Sequence, residues 1–151
     1  MNRVQFAVRE LPMPEWKAKA RSFILKVLKM RGKNNWELSV VFCGNVFIRD
    51  LNARYRNKDE ATDILSFPLG GVVPGKDGEE QCLAGDIVIS LEALKENSKF
   101  FKTPEDEELR RLFIHGILHL DGLDHKTNDK EEPMLVLQEN ILISLAGEHI
   151  L

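Results

Sequence analysis

Three of the chain's four histidines fall within eleven residues, HGILHLDGLDH, His115 to His125. Their spacing is H-x-x-x-H-x-x-G-x-x-H. Imidazoles four residues apart on a helix lie about 40° apart around its axis, so His115 and His119 can reach one ion. Leu112 to Leu120 carries no Asp, Glu, Lys or Arg, which places this end of the helix in the core. Two buried imidazoles without a shared ion would leave polar nitrogens to satisfy. Gly122 allows the chain to turn back sharply, and His125 then comes round as a third ligand. With four histidines in 151 residues, chance gives this spacing on the order of 0.3% of the time. Three protein ligands leave a position open for water, the arrangement of catalytic rather than structural zinc. The expected cofactor is therefore one divalent transition metal ion, zinc. His149, near the C-terminus, reads as a surface residue.

The same ligand spacing occurs in metzincin proteases, where the residue after the first histidine is a glutamate that serves as general base. Here that residue is Gly116, so a protease of that type would lack its proton acceptor. A metal-bound water, its pKa lowered towards neutral, can still attack. Such a centre suits a substrate for which charge stabilisation matters more than a strong base. Phosphodiesters fit, provided that a cation opposite the metal holds the phosphate. Arg54, Arg56 and Lys58 offer cations in the cluster RYRNK, which could equally be a solvated helix end. Asp124, beside the third histidine, could hold a ligand's other ring nitrogen or cap the turn. Asp63 and Asp86 could each be a proton acceptor or a turn residue. Met134 invites comparison with the methionine below a metzincin zinc, but its apolar helical surroundings favour core packing.

These residues must be carried by a chain that is 43% hydrophobic and 30% charged, an ordinary globular composition. A net charge of -3 excludes a globally basic nucleic-acid footprint, so a polyanion would have to meet a local patch. No apolar run approaches a membrane span, and MNRVQFAVRELP has no apolar core of a signal peptide. Cys43 and Cys82 form no C-x-x-C pair and suit a reducing cytoplasm. Strands are expected at Val4 to Val8, Trp36 to Phe42, Ile64 to Phe67 and Leu83 to Ser90. Helices are expected at Pro14 to Met30, Val46 to Tyr55, Leu91 to Phe101, Thr103 to Leu120 (with Thr103 as cap) and Asp129 to Leu145. VVPGKDGEEQ reads as a mobile hairpin or loop. The whole is one α+β (α/β-like) domain over residues 1–151, a mixed sheet of about four strands packed with about five helices. The metal site lies on a central helix and the turn after it.

HGILHLDGLDH resembles the signature H-G-x-L-H-L-x-G-[YF]-D-H of the YbeY-type endoribonucleases, or rRNA maturation factors, with Leu123 where an aromatic is more usual. LNARYRNKDEATDILSFP, Leu51 to Pro68, and GDIVIS, Gly85 to Ser90, are similar to two further segments of that family, in the same order. The resemblance implies a bacterial, cytoplasmic, metal-dependent endoribonuclease acting on single-stranded RNA. It also implies a role in maturing the 3′ end of small-subunit ribosomal RNA and in ribosome quality control. By position it makes His115, His119 and His125 the metal ligands and puts the family's functionally important arginine at Arg56, the expected catalytic residue; Arg54 and Lys58, from the basic cluster alone, are the further candidate substrate contacts. Expected partners are ribosomal RNA and ribosomal proteins of the small subunit, with no DNA and no membrane. A metal-dependent peptidase, and a non-catalytic ribosome-assembly factor with a structural metal, are the alternatives.

Overall fold

In the computed structural model the described residues are 1–76 and 78–151. They begin β1 (Arg3–Val8), α1 (Lys17–Met30), β2 (Trp36–Cys43), α2 (Asn45–Arg56), β3 (Ile64–Pro68). Then follow β4 (Val72–Pro74), β5 (Glu80–Ser90), α3 (Leu91–Phe101), α4 (Glu105–Leu120) and α5 (Pro133–Ser144). β1, β2 and β5 are parallel neighbours, while β3 and β4 run antiparallel to β5. The sheet is mixed, as expected, and β3 is the edge strand next to β5.

Alternation along the strands divides the sheet into two faces. One face carries Leu38, Val40 and Phe42 of β2 with Ile87 and Ile89 of β5, all essentially without solvent exposure. They pack against Phe23, Ile24, Val27 and Leu28 of α1 and against Phe113, Ile114 and Ile117 of α4. Each such side chain contributes about 1.5–3 kcal/mol on leaving water. α5 adds Met134, Ile141 and Leu142 to this core. The other face is covered only in part. Ile48 of α2 closes over Cys43, Leu65 and Val88, and Val41, Phe47, Leu51 and Phe67 border that small cluster.

The differences from expectation have local causes. Five strands form, because Val72–Pro74 pairs with Glu80–Cys82 within the segment read as a hairpin or loop; Asp77 of that segment lies outside the described residues. Thr103 does not cap α4. Its N–H and carbonyl are both taken by Ser98, the position before the helix is Pro104, and no side chain caps it. α5 starts at Pro133 rather than Asp129, because a residue before proline is pushed to extended backbone, here Glu132 at φ -56°, ψ 130°. Cys43 and Cys82 are free thiols.

Candidate metal centre

α4 presents His115 and His119 on one face near its C-terminus, while Leu112, Phe113, Ile114, Ile117 and Leu118 on its other faces are buried. The helix stops in a Schellman turn: Leu123 N–H donates to the Leu118 carbonyl and Gly122 N–H to the His119 carbonyl, each at 3.0 Å. This turn needs a left-handed residue, and Gly122 supplies it at φ +88°. Arg31 and Lys33, just beyond α1, clamp Asp121 at 3.0 and 2.6 Å. The turn aims the Leu123 carbonyl back at His119 and swings His125 up to the other two rings. Ligand atoms of the three imidazoles all lie within 4.8 Å of one another.

Each ring is held by an oxygen at its Nδ1. His115 Nδ1 faces Gln138 Oε1 at 2.6 Å, His119 Nδ1 the Leu123 carbonyl at 3.0 Å, and His125 Nδ1 the Thr127 carbonyl at 2.7 Å. A carbonyl can only accept, so every Nδ1 carries the proton and donates. For His115 the amide orientation is fixed independently, because Gln138 Nε2 donates to Glu139 Oε2 at 3.1 Å. Arg111 in turn donates to Glu139 at 3.0 Å, so the first histidine ends a relay that runs from α5 back to α4. In neutral rings the Nε2 atoms are then bare. Those of His115 and His119 stand 3.1 Å apart with no proton left to share. Two lone pairs at that distance repel unless a cation lies between them. In a tetrahedral zinc site, with Zn–N of about 2.0–2.1 Å, ligand nitrogens lie about 3.3 Å apart. Burial first, with the neighbouring imidazoles adding, pushes His115 down to about 4, against the opposing Gln138 bond. Burial likewise lowers His119. Both are neutral at pH 7, as a metal ligand must be. The donor set fits a divalent transition ion.

Arg56, the last residue of α2, reaches round the edge strand. It donates to the Ser66 carbonyl at 2.8 Å and lies 5.1 Å over the Phe67 ring. With Ser66, Pro68, Asp124, His115 and His119 it lines a cavity of about 510 Å³. The other cations of its cluster are placed differently. Arg54 points away and pairs with Asp50 at 3.2 Å, both well exposed. Lys58 lines a separate hollow of about 320 Å³ that shares only Arg56 and Leu65 with the histidine cavity. Asp124 does not touch a ligand's ring nitrogen. Its Oδ1 accepts the His125 N–H at 2.8 Å, so it caps the turn. Asp63 is tied to Asn97 of α3, and Asp86 lies on the far face of the sheet; neither lines the histidine cavity. Met134 is core, in contact with the main cluster.

Gly116 faces the sheet. A Cβ there would stand 2.9 Å from Ile87 Cδ1 and 3.2 Å from Ile64 Cδ1. A glutamate at this position would be driven into the core between two isoleucines rather than towards the ligands. The sequence gives a signal for Gln138 that is easily passed over. It is the one polar residue on the buried stripe Met134, Gln138, Ile141 and Leu142 of α5, and a polar residue on a buried stripe needs a partner.

The sequence profile described as endoribonuclease YbeY matches residues 4–146. The chain belongs to that family. A curated endoribonuclease YbeY of Treponema denticola is 46% identical over 132 residues, 87% of this chain and 85% of the relative. That of Borreliella afzelii is 49% identical over 122 residues, 80% of each chain. Among solved structures, the solution structure of TM1509 from Thermotoga maritima matches with a TM-score of 0.60 at 27% identity. The match covers 96% of this chain and 90% of that one.

Proposed function

We propose that the protein is a metal-dependent endoribonuclease that cuts single-stranded RNA and acts in ribosomal RNA processing, at the 3′ end of small-subunit rRNA, and in ribosome quality control. Residues 1–151 are its one catalytic domain, zinc its metal and the cytoplasm its place of work. Ribosomal proteins of the small subunit are its protein partners, and DNA is not a substrate. Its membership of the endoribonuclease YbeY family supports the reaction class. The observation that carries the rest is the convergence of three imidazoles, two of which, His115 and His119, line one cavity with Arg56. No described helix is long and apolar enough to cross a membrane.

When bound at His115, His119 and His125, the ion supplies a Lewis acid and an acidified water. The chain's own residues do the remainder. A guanidinium has five N–H donors, and Arg56 commits one to Ser66, which fixes the side chain at the cavity wall and leaves others for phosphate oxygens. Arg54 and Lys58, outside the cavity, serve to hold the flanking backbone. Asp124 is the carboxylate in the cavity lining, with one oxygen engaged by the His125 N–H. Its role in this reading is to accept a proton from the attacking oxygen, whether of water or of the RNA's own 2′-hydroxyl. The peptidase reading loses support because position 116 faces the sheet.

The test is a structured RNA with a single-stranded tail, incubated with metal-loaded protein. Cleavage confined to the tail and abolished by a chelator is expected; 2′,3′-cyclic or 5′-phosphate ends distinguish the two nucleophiles. Arg56→Lys keeps the charge but loses the fork. It should slow single-turnover cleavage roughly 10- to 1000-fold while RNA affinity falls much less. Equal losses would make Arg56 a binding residue only, and tight RNA binding without any cleavage would favour the non-catalytic assembly factor.

A further inference from the structure

The uncovered half of the sheet holds a second concavity. It has a volume of about 420 Å³ and lies beside α2. Its floor is Val41 and Val88 with the pair Ser39 and Asp86, and Tyr55 and Phe67 form one wall. The strand register makes Phe67, Asp86 and Ser39 lateral neighbours on β3, β5 and β2. We infer that this groove is a base-binding subsite for the RNA whose backbone crosses the histidine cavity. It takes an unstacked nucleobase that bears an exocyclic amino group. The inference rests on the endoribonuclease reading for its choice of ligand.

Continuity with the histidine cavity is the first argument. Ser66 and Pro68 of β3 line that cavity, and Phe67 between them turns to the opposite face and lines the groove. Arg56 joins the two, donating to the Ser66 carbonyl while lying over the Phe67 ring. A strand whose phosphate is held by Arg56 therefore has its next base at the mouth of the groove. The wall chemistry is the second argument. Tyr55 is 61% exposed and meets Phe67 edge-on, with ring centroids 5.5 Å apart. Exposed aromatic rings over an apolar floor suit the faces of a base, and stacking of this kind is tolerant of sequence.

Asp86 is the third argument. Its carboxylate stands exposed in the floor, and Ser39 donates to Oδ1. That bond fixes the group and leaves Oδ2 to accept. A carboxylate would repel a phosphate, so the floor does not take backbone. It accepts from the amino groups of cytosine, adenine or guanine, whereas uracil offers only its N3–H, flanked by two carbonyl oxygens that set lone pair against lone pair. At the far end Arg9, 5.6 Å from the Phe47 ring centroid, offers a cation for the next phosphate.

The experiment is a titration of the full-length, zinc-loaded protein with CMP and UMP, followed by amide chemical shifts. Saturable shifts are expected at Ser39, Val41, Asp86 and Val88, with CMP about 5-fold tighter than UMP, as one exposed charge-assisted contact gives. Asp86→Asn presents both a donor and an acceptor and should bring the two nucleotides within about 2-fold. Tyr55→Ala should weaken both. Equal affinities for CMP and UMP in the wild type overturn the inference, as do shifts confined to His115, His119 and Arg56. A groove that answers only to a lysine-rich peptide overturns it in favour of a protein partner. Nucleotide binding is read here without cleavage, so failure of the groove and failure of the nuclease reading are separate results.

Discussion

At the scale of the residue, the ring orientations are set by hydrogen bonds at Nδ1, the nitrogens turned away from the proposed ion. Gln138 is the clearest case. Its amide is oriented by Glu139, so it fixes which nitrogen of His115 carries the proton. Gln138→Leu keeps the buried volume and removes the acceptor. It should weaken zinc 10- to 100-fold in a competition titration with a chelating dye, the usual effect of losing an outer partner. Unchanged affinity would mean that packing alone orients the ring. His115 also ties stability to pH. Its folded value of about 4 lies below the usual 6.5, so below pH 6.5 the unfolded chain takes up the proton that the folded chain refuses. Metal-stripped protein should therefore lose stability as pH falls from about 6.5 to 4, by about 3 kcal/mol. Urea unfolding at a series of pH values reads this directly, and a His115→Gln variant should lack that part of the slope.

At the scale of the element, α4 is pressed against the sheet so closely that one position on it has room for hydrogen only. Gly116→Ala places a methyl 2.9 Å from Ile87 Cδ1 and should cost about 1–3 kcal/mol in unfolding free energy, with the histidines retained. A neutral effect would show that the isoleucines give way freely. This contact also marks what was legible in the sequence. The i, i+4 histidines, the glycine turn and the apolar stripe of α4 follow from periods along a single stretch of chain, and the structure has them as read. The meaning of Gly116 does not follow, because it depends on β3 and β5 packing against the helix. The same holds for β4, whose three residues pair only because β5 extends back to Glu80, and for Thr103, which the turn after α3 claims before the helix can. Asp124 was open between two readings, and only the path of the chain after Gly122 decides for the turn.

At the scale of the whole molecule, the division of labour is between the two sides of β3. On one side α4 and its following turn gather the three imidazoles, and on the other α2 leaves part of the sheet open. Arg56 stands at the boundary, carried by α2 but bonded to β3. On the proposed function, RNA binding by a chain of net charge -3 is expected to be local, along this edge. The central claim is that the three histidines hold one ion and that RNA is cut there. The most direct measurement is the single-turnover rate of cleavage of a single-stranded RNA as zinc is added stepwise to metal-stripped protein. The rate should rise in proportion to zinc up to one equivalent per chain and then level off, and His119→Ala should stay flat throughout. A rate independent of added zinc, or a His119→Ala variant that follows the wild-type curve, would contradict that claim.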